Sequence, residues 1–262
     1  MINIKSAKEI EKIKTACKHT GTILNELGDF IKPGMTTKEV DEYIDKRIAD
    51  AGMTPTFKGY GGFPAAACIS VNEVVIHGIP GNRVINEGDI VSVDMGSTFQ
   101  GYVSDAARTY AVGRVSKEAE RLIEAAREGF FAALEYCKAG AKVSDISHAV
   151  QTKIEEYGYG IVRDYTGHGM GRVLHEDPQI PNYGKPGRGA TLRSGMTIAI
   201  EPMITEGSEL VKTLDDGWTV VTIDGKNAAH YENSVLITDD EPVIMTLVSR
   251  KEENGKERCY RS

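Results

Sequence analysis

The chain has 262 residues, of which 40% are hydrophobic and 26% are charged, and its formal net charge is −7. This balance suits one large domain with a sizeable core, and it disfavours intrinsic disorder and general nucleic-acid binding. No run approaches the roughly 18 apolar residues that a membrane span needs, the N-terminus lacks an apolar signal core, and the four cysteines show no CxxC spacing. We therefore expect a soluble cytoplasmic protein with reduced thiols.

Two helices are predicted at the start of the chain. Apolar residues recur at helical spacing over residues 6–31, until a Pro-Gly pair stops the pattern. Thr36 and Glu39 then form a capping box, which predicts a second helix that Gly52 ends. Residues 65–112 change to short β-branched runs broken by Gly, Pro and Asn, which is typical of strands and hairpins.

The same order of elements is predicted again after Gly113. Residues 117–138 show the pattern of a long helix. Ser144 opens a second helix, which Gly158 ends, and β-rich sequence follows to about residue 248. The pattern as a whole indicates an α+β protein.

Sequence spacing supports a duplication. GMTTKEVDEYIDKRIADAG and GAKVSDISHAVQTKIEEYG start 106 residues apart, and GDIVSVD and GMTIAIE start 107 apart. Two interpretations stay open. Such echoes occur in many α+β chains, or two βαβ-like halves, about 1–113 and 114–248, join their sheets with a site at the seam. Residues 249–262 are predicted to form a polar tail.

Three predicted strands each place one acid among small or polar neighbours, while the opposite face supplies a core. These acids are Asp94, Glu201 and Glu232. For any one strand alone, an ordinary half-exposed face explains the acid better. Three such strands in one chain favour carboxylates gathered around a cation.

A fourth acid follows the first across a predicted hairpin. Asp105 comes eleven residues after Asp94. A Phe99-Gln100 loop would set the two aspartates directly opposite each other, whereas a Gln100-Gly101 loop would slip the pairing by two residues. Both registers stay open at this point.

Three histidines accompany these acids. His168 stands between glycines in YTGHGMG, His175 follows in LHEDP, and His77 ends an apolar run. A lone histidine at a strand end is more often structural than a ligand, but three beside several carboxylates change that balance. The oxygen-rich set suits a pair of divalent transition ions better than a structural zinc. The sequence has no His-Glu-x-x-His, no Gly-x-Ser-x-Gly elbow and no Walker loop.

The order and approximate spacing of these residues resemble the metal ligands of the methionine aminopeptidases, peptidase family M24. The five matching positions are Asp94, Asp105, His168, Glu201 and Glu232. The stretches YTGHGMGRVLHEDPQIPNY, SVNEVVIHGIP and GDIVSVDMG are similar to signatures of the type I subgroup. The resemblance covers essentially the whole chain. It implies a single catalytic domain, 1–262, with the pita-bread fold, in which two pseudo-symmetric halves with antiparallel sheet enclose a dinuclear metal site.

The resemblance also implies the reaction. Members remove the initiator methionine from nascent proteins when the second residue is small and uncharged, through a hydroxide activated by two divalent ions (Co, Mn, Fe or Zn). By this likeness Asp94 would chelate one ion, and Asp105 and Glu232 would bridge both. His168 and Glu201 would complete the coordination of the second ion. Glu201 would also shuttle the proton of the water.

Substrate contacts are implied in the same way. His77 and His175 would act on the substrate as catalytic groups without being essential metal ligands. The methionine pocket would be lined by Phe57, Tyr60, Phe63, Cys68, Leu174 and Trp218. Gly61 and Val103 depart from the many bacterial relatives that have histidine at these positions, which leaves details of substrate affinity open.

The expected partners are polypeptide N-termini that begin with Met. We expect the protein to act as a monomer and to bind neither a membrane nor a specific nucleic acid. A transient contact with the ribosome is compatible with this role. Three other interpretations remain: a pita-bread peptidase that cleaves before proline, a silent relative that only binds protein or RNA, and a metal-dependent hydrolase of other substrates. Proline-directed relatives usually carry a large extra N-terminal domain, and silent relatives lose ligands, so we expect neither.

Overall fold

The structure is a computed structural model that describes residues 2–251 and 257–258. Most of the predicted polar tail, residues 249–262, lies outside the described residues, as does Cys259. The cysteines Cys17, Cys68 and Cys137 are free thiols and buried, as their spacing predicts. No helix of the described residues is long and apolar enough to cross a membrane.

The helices follow the predicted order. They are α1 Ala7–Phe30, α2 Thr37–Asp50, α3 Lys117–Ala133 and α4 Val143–Tyr157, with short 3-10 turns at Tyr60–Gly62 and Leu134–Tyr136. The Thr36 side chain caps α2 by accepting a hydrogen bond from the backbone N–H of Glu39. α4 begins one residue before the predicted Ser144 and ends at Gly158, whose φ of 77° suits glycine. The helix predicted over 117–138 is shorter, because its last turns tighten into the 3-10 turn.

The strands are short. In chain order they are β1 Thr54–Pro55, β2 Ala67–Val71, β3 Val74–Ile76, β4 Ile90–Met95, β5 Ser97–Phe99, β6 Tyr102–Val103, β7 Ala106–Ala111, β8 Gly160–Ile161, β9 Gly167–Gly169, β10 Glu176–Ile180, β11 Thr197–Ile200, β12 Met203–Thr205, β13 Val211–Thr213, β14 Val220–Thr222, β15 Ala228–His230, β16 Asn233–Leu236, β17 Val243–Ile244, β18 Arg250–Lys251 and β19 Glu257–Arg258.

These strands pair in antiparallel fashion, which confirms the α+β prediction. The two sheets that carry the site have the orders β2-β4-β7 and β10-β9-β11-β16-β17. Smaller sheets have the orders β15-β12-β8, β13-β14-β3, β1-β5-β6 and β18-β19. Adjacent pairs such as β4 with β7 and β11 with β16 are antiparallel along their whole register.

The register of the aspartate hairpin is the slipped alternative. Phe99 pairs with Tyr102, and Asp94 therefore lies opposite Ala107 rather than opposite Asp105. The loop residues Gln100 and Gly101 have φ values of 49° and 77°. Positive φ at both central residues is the geometry of the type I′ turn, whose twist matches that of the flanking strands.

Each helix pair packs on its own sheet. Buried residues of α1 and α2 join β2, β4 and β7 in one core, and those of α3 and α4 join β11, β12 and β16 in another. Between the two, Ala107 and Glu232 exchange backbone hydrogen bonds of 3.3 and 3.0 Å. The arrangement is compatible with the two halves 1–113 and 114–248, whose boundaries stay a prediction.

Candidate active site

The five predicted ligands stand at strand ends around the junction of the two sheets. Asp94 lies on β4, and Asp105 immediately precedes β7. His168 is the central residue of β9, Glu201 directly follows β11, and Glu232 directly precedes β16. Because antiparallel pairing aligns the end of β11 with the start of β16, the two glutamates come to the same edge of their sheet.

The side chains of these residues approach one another closely. The ligand atoms of Asp105, His168 and Glu232 all lie within 4.8 Å of each other. His168 Nε2 lies 3.4 Å from Asp105 Oδ2 and 3.6 Å from Glu201 Oε1. Asp105, His168 and Glu232 are buried, so water does not screen the cluster.

The tautomer of His168 suits a metal ligand. Its Nδ1 lies 2.9 Å from the carbonyl oxygen of Gly169, which can only accept, so Nδ1 carries the proton. Burial lowers the pKa of His168, which keeps the ring neutral. The Nε2 lone pair therefore faces the carboxylates of Asp105 and Glu201, an arrangement that is repulsive unless a cation lies between them.

Burial also controls the acids. Desolvation raises the pKa of Asp94, Asp105, Glu201 and Glu232 above the ordinary range, and the mutual proximity of these acids raises the pKa of Asp94, Glu201 and Glu232 further. A bound cation reverses that preference, because it favours the charged form of each acid.

The orphaned oxygens test whether a cation fits here. Within the described residues, Asp94 Oδ1, Asp105 Oδ1 and Glu232 Oε1 are buried and make no hydrogen bond. Native proteins rarely leave such atoms unsatisfied, and carboxylate oxygens with one imidazole nitrogen suit divalent cations such as Mn, Fe, Co and Zn. The residues present thus fit a divalent metal centre.

A cationic side chain holds the main chain of Glu232. The Arg108 guanidinium donates hydrogen bonds to the carbonyl oxygens of Ala107 and Glu232 and, over 2.6 Å, to Asn233 Oδ1. Its Cζ also lies 4.3 Å from the centroid of the Tyr231 ring. Arg108 thereby fixes the residues on either side of the seam.

A cavity of about 260 Å³ opens beside the cluster. It brings together every site residue that the sequence predicts, although the role of each stays a proposal. These are Phe57, Tyr60, Phe63, Cys68, His77, Asp94, Asp105, His168, Leu174, His175, Glu201, Trp218 and Glu232.

One end of this cavity is apolar. Phe57, Phe63, Cys68 and Leu174 are buried in a single hydrophobic cluster, and Trp218 packs against it. The Phe63 and Trp218 rings meet edge to face with centroids 5.2 Å apart. An unbranched apolar side chain can enter this end without leaving a polar group unpaired.

His175 stands at the exposed mouth of the cavity. Its Nδ1 lies 2.7 Å from the Tyr60 hydroxyl, and its ring centroid lies 4.3 Å from that of His168. Desolvation of the ring, together with His168, lowers the pKa of His175 to about 4. The ring is therefore neutral at neutral pH.

His77 also lines the cavity. Its φ of 57° is uncommon for a residue with a side chain, and the surrounding structure enforces it. Its ring stands edge-on to Tyr165 and Trp218, with centroids 5.6 and 6.2 Å away. Burial, aided by His175, lowers the pKa of His77 to about 4.

Some lining residues were missed at the sequence level. Ile76, Tyr165 and Thr166 also line the cavity. Tyr165 and Thr166 directly precede the glycine-flanked His168, so the motif itself contained the signal. His230 was missed as well. It lies two residues before Glu232, and its Nε2 lies 3.9 Å from Glu232 Oε2.

The two departures from bacterial relatives have different locations. Val103 is buried in a hydrophobic cluster with Tyr102 and Met170 and is not among the cavity lining. Gly61 has a φ of 56°, and a Cβ there would come within 3.3 Å of Trp218 Cη2. Gly61 therefore faces the ring that covers the apolar end of the cavity.

Comparison with known proteins gives concordant results. Residues 11–239 match Metallopeptidase family M24. A methionine aminopeptidase of Clostridium acetobutylicum is 52% identical over 248 residues, which cover 94% of this chain and 99% of that protein. The crystal structure of a methionine aminopeptidase from Thermotoga maritima superposes with a TM-score of 0.92 at 47% identity, over 94% of this chain and 99% of that one.

A more distant likeness concerns the fold alone. An Xaa-Pro dipeptidase from Bacillus anthracis superposes with a TM-score of 0.77 at 24% identity, over 94% of this chain and 62% of that one. At this identity the shared architecture carries no statement about the reaction.

Proposed function

This chain belongs to the methionine aminopeptidases of metallopeptidase family M24, and from that premise we propose that it removes the initiator methionine from nascent polypeptides whose second residue is small and uncharged. Its helices and antiparallel sheets form the pita-bread fold of that family. One observation carries the proposal: a buried cluster of carboxylates and histidine shares a cavity with an apolar pocket of suitable size for one side chain.

The proposed cofactor is a pair of divalent cations drawn from Co, Mn, Fe and Zn. When bound, they lower the pKa of the attacking water toward neutrality and polarise the scissile carbonyl. Asp94 would hold one cation, and Asp105 and Glu232 would hold both. His168 and Glu201 would complete the coordination of the second cation. The lone pair that His168 directs at the acids supports this assignment.

Glu201 is the group proposed to move the proton. Its carboxylate faces the cavity, and the amide nitrogen of Asn182 donates a 2.9 Å hydrogen bond to its main-chain oxygen, which fixes its position. We assign to it acceptance of the proton from the water and its delivery toward the departing amine. The acids and the apolar cluster line the same cavity, and we propose that a free N-terminus is the part of a substrate that reaches the acids.

The two histidines at the cavity walls are proposed to act on the peptide bond. If the Tyr60 hydroxyl donates to His175 Nδ1, the ring presents Nε2–H to the carbonyl oxygen as negative charge develops there. His77 would hold or protonate the nitrogen of the scissile bond. Both rings are neutral at neutral pH and can therefore donate and accept.

Selectivity follows from the shape of the cavity. The cluster of Phe57, Phe63, Cys68 and Leu174 accepts a long thioether, whereas a charged first side chain would be desolvated without a partner. Beyond the scissile bond, His77 and the groups near the acids would crowd a large second side chain.

The partners follow from the substrate. We propose that this protein acts in the cytoplasm as a monomer. It would bind the N-termini of newly made chains while in transient contact with the ribosome. No membrane or specific nucleic acid enters this scheme.

A peptide assay tests the proposal. Chelator-treated protein is incubated with Met-Ala-Ser or with X-Pro peptides, with and without added Mn²⁺ or Co²⁺. We expect cation-dependent release of free methionine from Met-Ala-Ser and little cleavage of X-Pro bonds. Preferential X-Pro cleavage, or no cleavage of either peptide, would contradict it.

A further inference from the structure

His230 is a buried histidine beside the two glutamates of the cluster. It is the last residue of β15 and is only 1% exposed. Its Nε2 lies 3.9 Å from Glu201 Oε2 and 3.9 Å from Glu232 Oε2. In the part of the chain that the structure describes, this nitrogen makes no hydrogen bond. A buried ring nitrogen without a partner is costly, so its position needs a physical reason.

The backbone of His230 is fixed from the other sheet. The Thr109 hydroxyl accepts a 3.0 Å hydrogen bond from His230 N and donates a 2.9 Å bond to His230 O. Because its own proton is used, Thr109 receives the 2.8 Å hydrogen bond from the Ser92 hydroxyl. Ser92 and Thr109 are directly paired in β4 and β7, so the sheet that carries Asp94 also holds His230.

The oxygens of each glutamate point to different neighbours. Glu201 Oε1 faces His168, while Glu201 Oε2 faces His230. Glu232 Oε2 also faces His230, while Glu232 Oε1 is buried and unbonded among the described residues. A neutral imidazole carries one N–H, and an Nε2 lone pair aimed at two carboxylate oxygens would be repelled by both.

We propose that His230 is a positioning residue that carries its proton on Nε2 and directs this N–H at the Oε2 atoms of Glu201 and Glu232, leaving their Oε1 atoms oriented to bind the cations. The inference rests on the proposed metal centre, and it adds a group to that centre that is not one of the five ligands. Polar groups behind a metal ligand fix its orientation, and their loss typically weakens metal affinity by about 10- to 100-fold.

Three substitutions separate this role from simple packing. In His230→Gln, the amide nitrogen stands at the same distance along the side chain as Nε2. In His230→Asn, the amide nitrogen stands where Nδ1 was, and His230→Leu offers no donor. We expect His230→Gln to bind Co²⁺ nearly as the unaltered protein does, and His230→Asn and His230→Leu to bind about 10-fold more weakly or worse.

The measurements are calorimetric titration of chelator-treated protein with Co²⁺ and the visible absorption spectrum of the Co²⁺-loaded protein. Neither depends on turnover. Equal Co²⁺ affinity and an unchanged spectrum in His230→Leu would overturn the proposal, and so would full rescue by Asn or failure of Gln to rescue. If the unaltered protein takes up no Co²⁺, the proposed function fails instead, so the two failures are distinguishable.

A measurement on the unaltered protein covers the case in which the variants do not fold. NMR of the Zn²⁺-loaded protein, labelled with ¹⁵N at its histidines, reports the tautomer of each ring. The His230 resonance is the one that disappears in any folded variant at position 230, or the one that shows the long-range contacts of this buried ring. We expect the Nε2–H tautomer. The Nδ1–H tautomer would overturn the assignment.

Discussion

Asp94 lies diagonally across the β4–β7 hairpin from Asp105, because Ala107 rather than Asp105 pairs with Asp94. The type I′ turn sets this register, and the diagonal offset still brings the two side chains together. Two buried carboxyls in contact cannot both ionise easily. Burial and the proximity of Asp105 raise the pKa of Asp94, and a bound cation opposes this shift, so this relationship links metal binding to pH.

The first prediction concerns the stability of chelator-treated protein. The pKa values of Asp94, Glu201 and Glu232 are raised in the folded state, so between their unfolded and folded pKa values the folded state binds more protons. Stability must then fall as pH rises, by about 1.4 kcal/mol per pH unit for each such proton. We expect the Tm without cations to fall as the pH rises from about 7 through about 8, the value to which burial raises the pKa of Asp105.

The pKa values of two histidines set the lower limit of this pH range. His77 and His175 have lowered pKa values, so their contribution to stability rises with pH only below about 6.5 and is constant above it. Thermal melts at several pH values, with and without Mn²⁺, make the comparison. A Tm that does not fall without cations, or that falls equally with them, would contradict the electrostatic account. Asp94→Asn should make the cation-free slope shallower.

The second prediction separates catalytic groups from ligands. His77→Ala and His175→Ala each remove a ring that lines the cavity but that is not among the five proposed ligands. We expect turnover to fall by roughly 10²- to 10³-fold in each, the range for loss of one donor or proton-transfer group. Elemental analysis should find near-normal metal content. Loss of metal in either variant would show that the ligand set is wrong.

The third prediction concerns the N-terminal segment. Lys5 Nζ lies 2.8 Å from Glu176 Oε2, and both side chains are nearly buried. Glu176 Oε1 accepts a 3.0 Å hydrogen bond from Arg172 N, so the pair holds the turn that carries His175. Removing one partner of such a pair leaves a charge unpaired, and we expect Lys5→Met to cost about 3 kcal/mol in the free energy of unfolding.

The matched control for this change is Lys8→Met, at an exposed position on α1. Urea unfolding compares the two variants, and kcat is measured under native conditions. Lys5→Met should also lower kcat, because His175 loses its support, while metal content stays normal. Equal stability of the two variants would refute the role of the ion pair.

The fourth prediction concerns the second residue of the substrate. In a Met-X-Ser series, X = Gly, Ala or Ser should be cleaved well and X = Lys, Leu or Phe poorly, with the loss mainly in kcat because attack geometry is misplaced. Gly61 is the position at which a wider cleft could arise, since a Cβ there would come within 3.3 Å of Trp218. Efficient hydrolysis at X = Leu or Phe would show that the cleft is not narrow.

Local signals account for what could be predicted from the sequence. The capping box of Thr36 and Glu39 and the left-handed Gly158 mark helix ends through contacts within a few residues. The glycines around His168 indicated close packing, and strand alternation placed Asp94 and Glu232 on cavity-facing positions. Each of these features depends on neighbours along the chain, so the sequence alone contains the information.

The remaining features depend on contacts between distant segments. Sequence spacing leaves two turn positions around Gln100 open, and the positive φ values of Gln100 and Gly101 identify the one that forms. The end of α3 at Ala133, rather than at 138, reflects a 3-10 turn that local periodicity does not reveal. The importance of His230 arises from Thr109 and Glu201, which are far from it in the chain.

The most direct test is a cation titration of the chelator-treated protein, monitored by Met-Ala-Ser turnover and by metal content, in the unaltered chain, in Asp105→Asn and in the exposed control Asp239→Asn. We expect the unaltered chain and the control to take up two equivalents of Mn²⁺ or Co²⁺ and to become active. Asp105→Asn should bind the cations weakly and lose activity, because a neutral amide replaces the carboxylate between them. Full activity in Asp105→Asn, or activity in the unaltered chain without cations, would contradict the proposed metal centre.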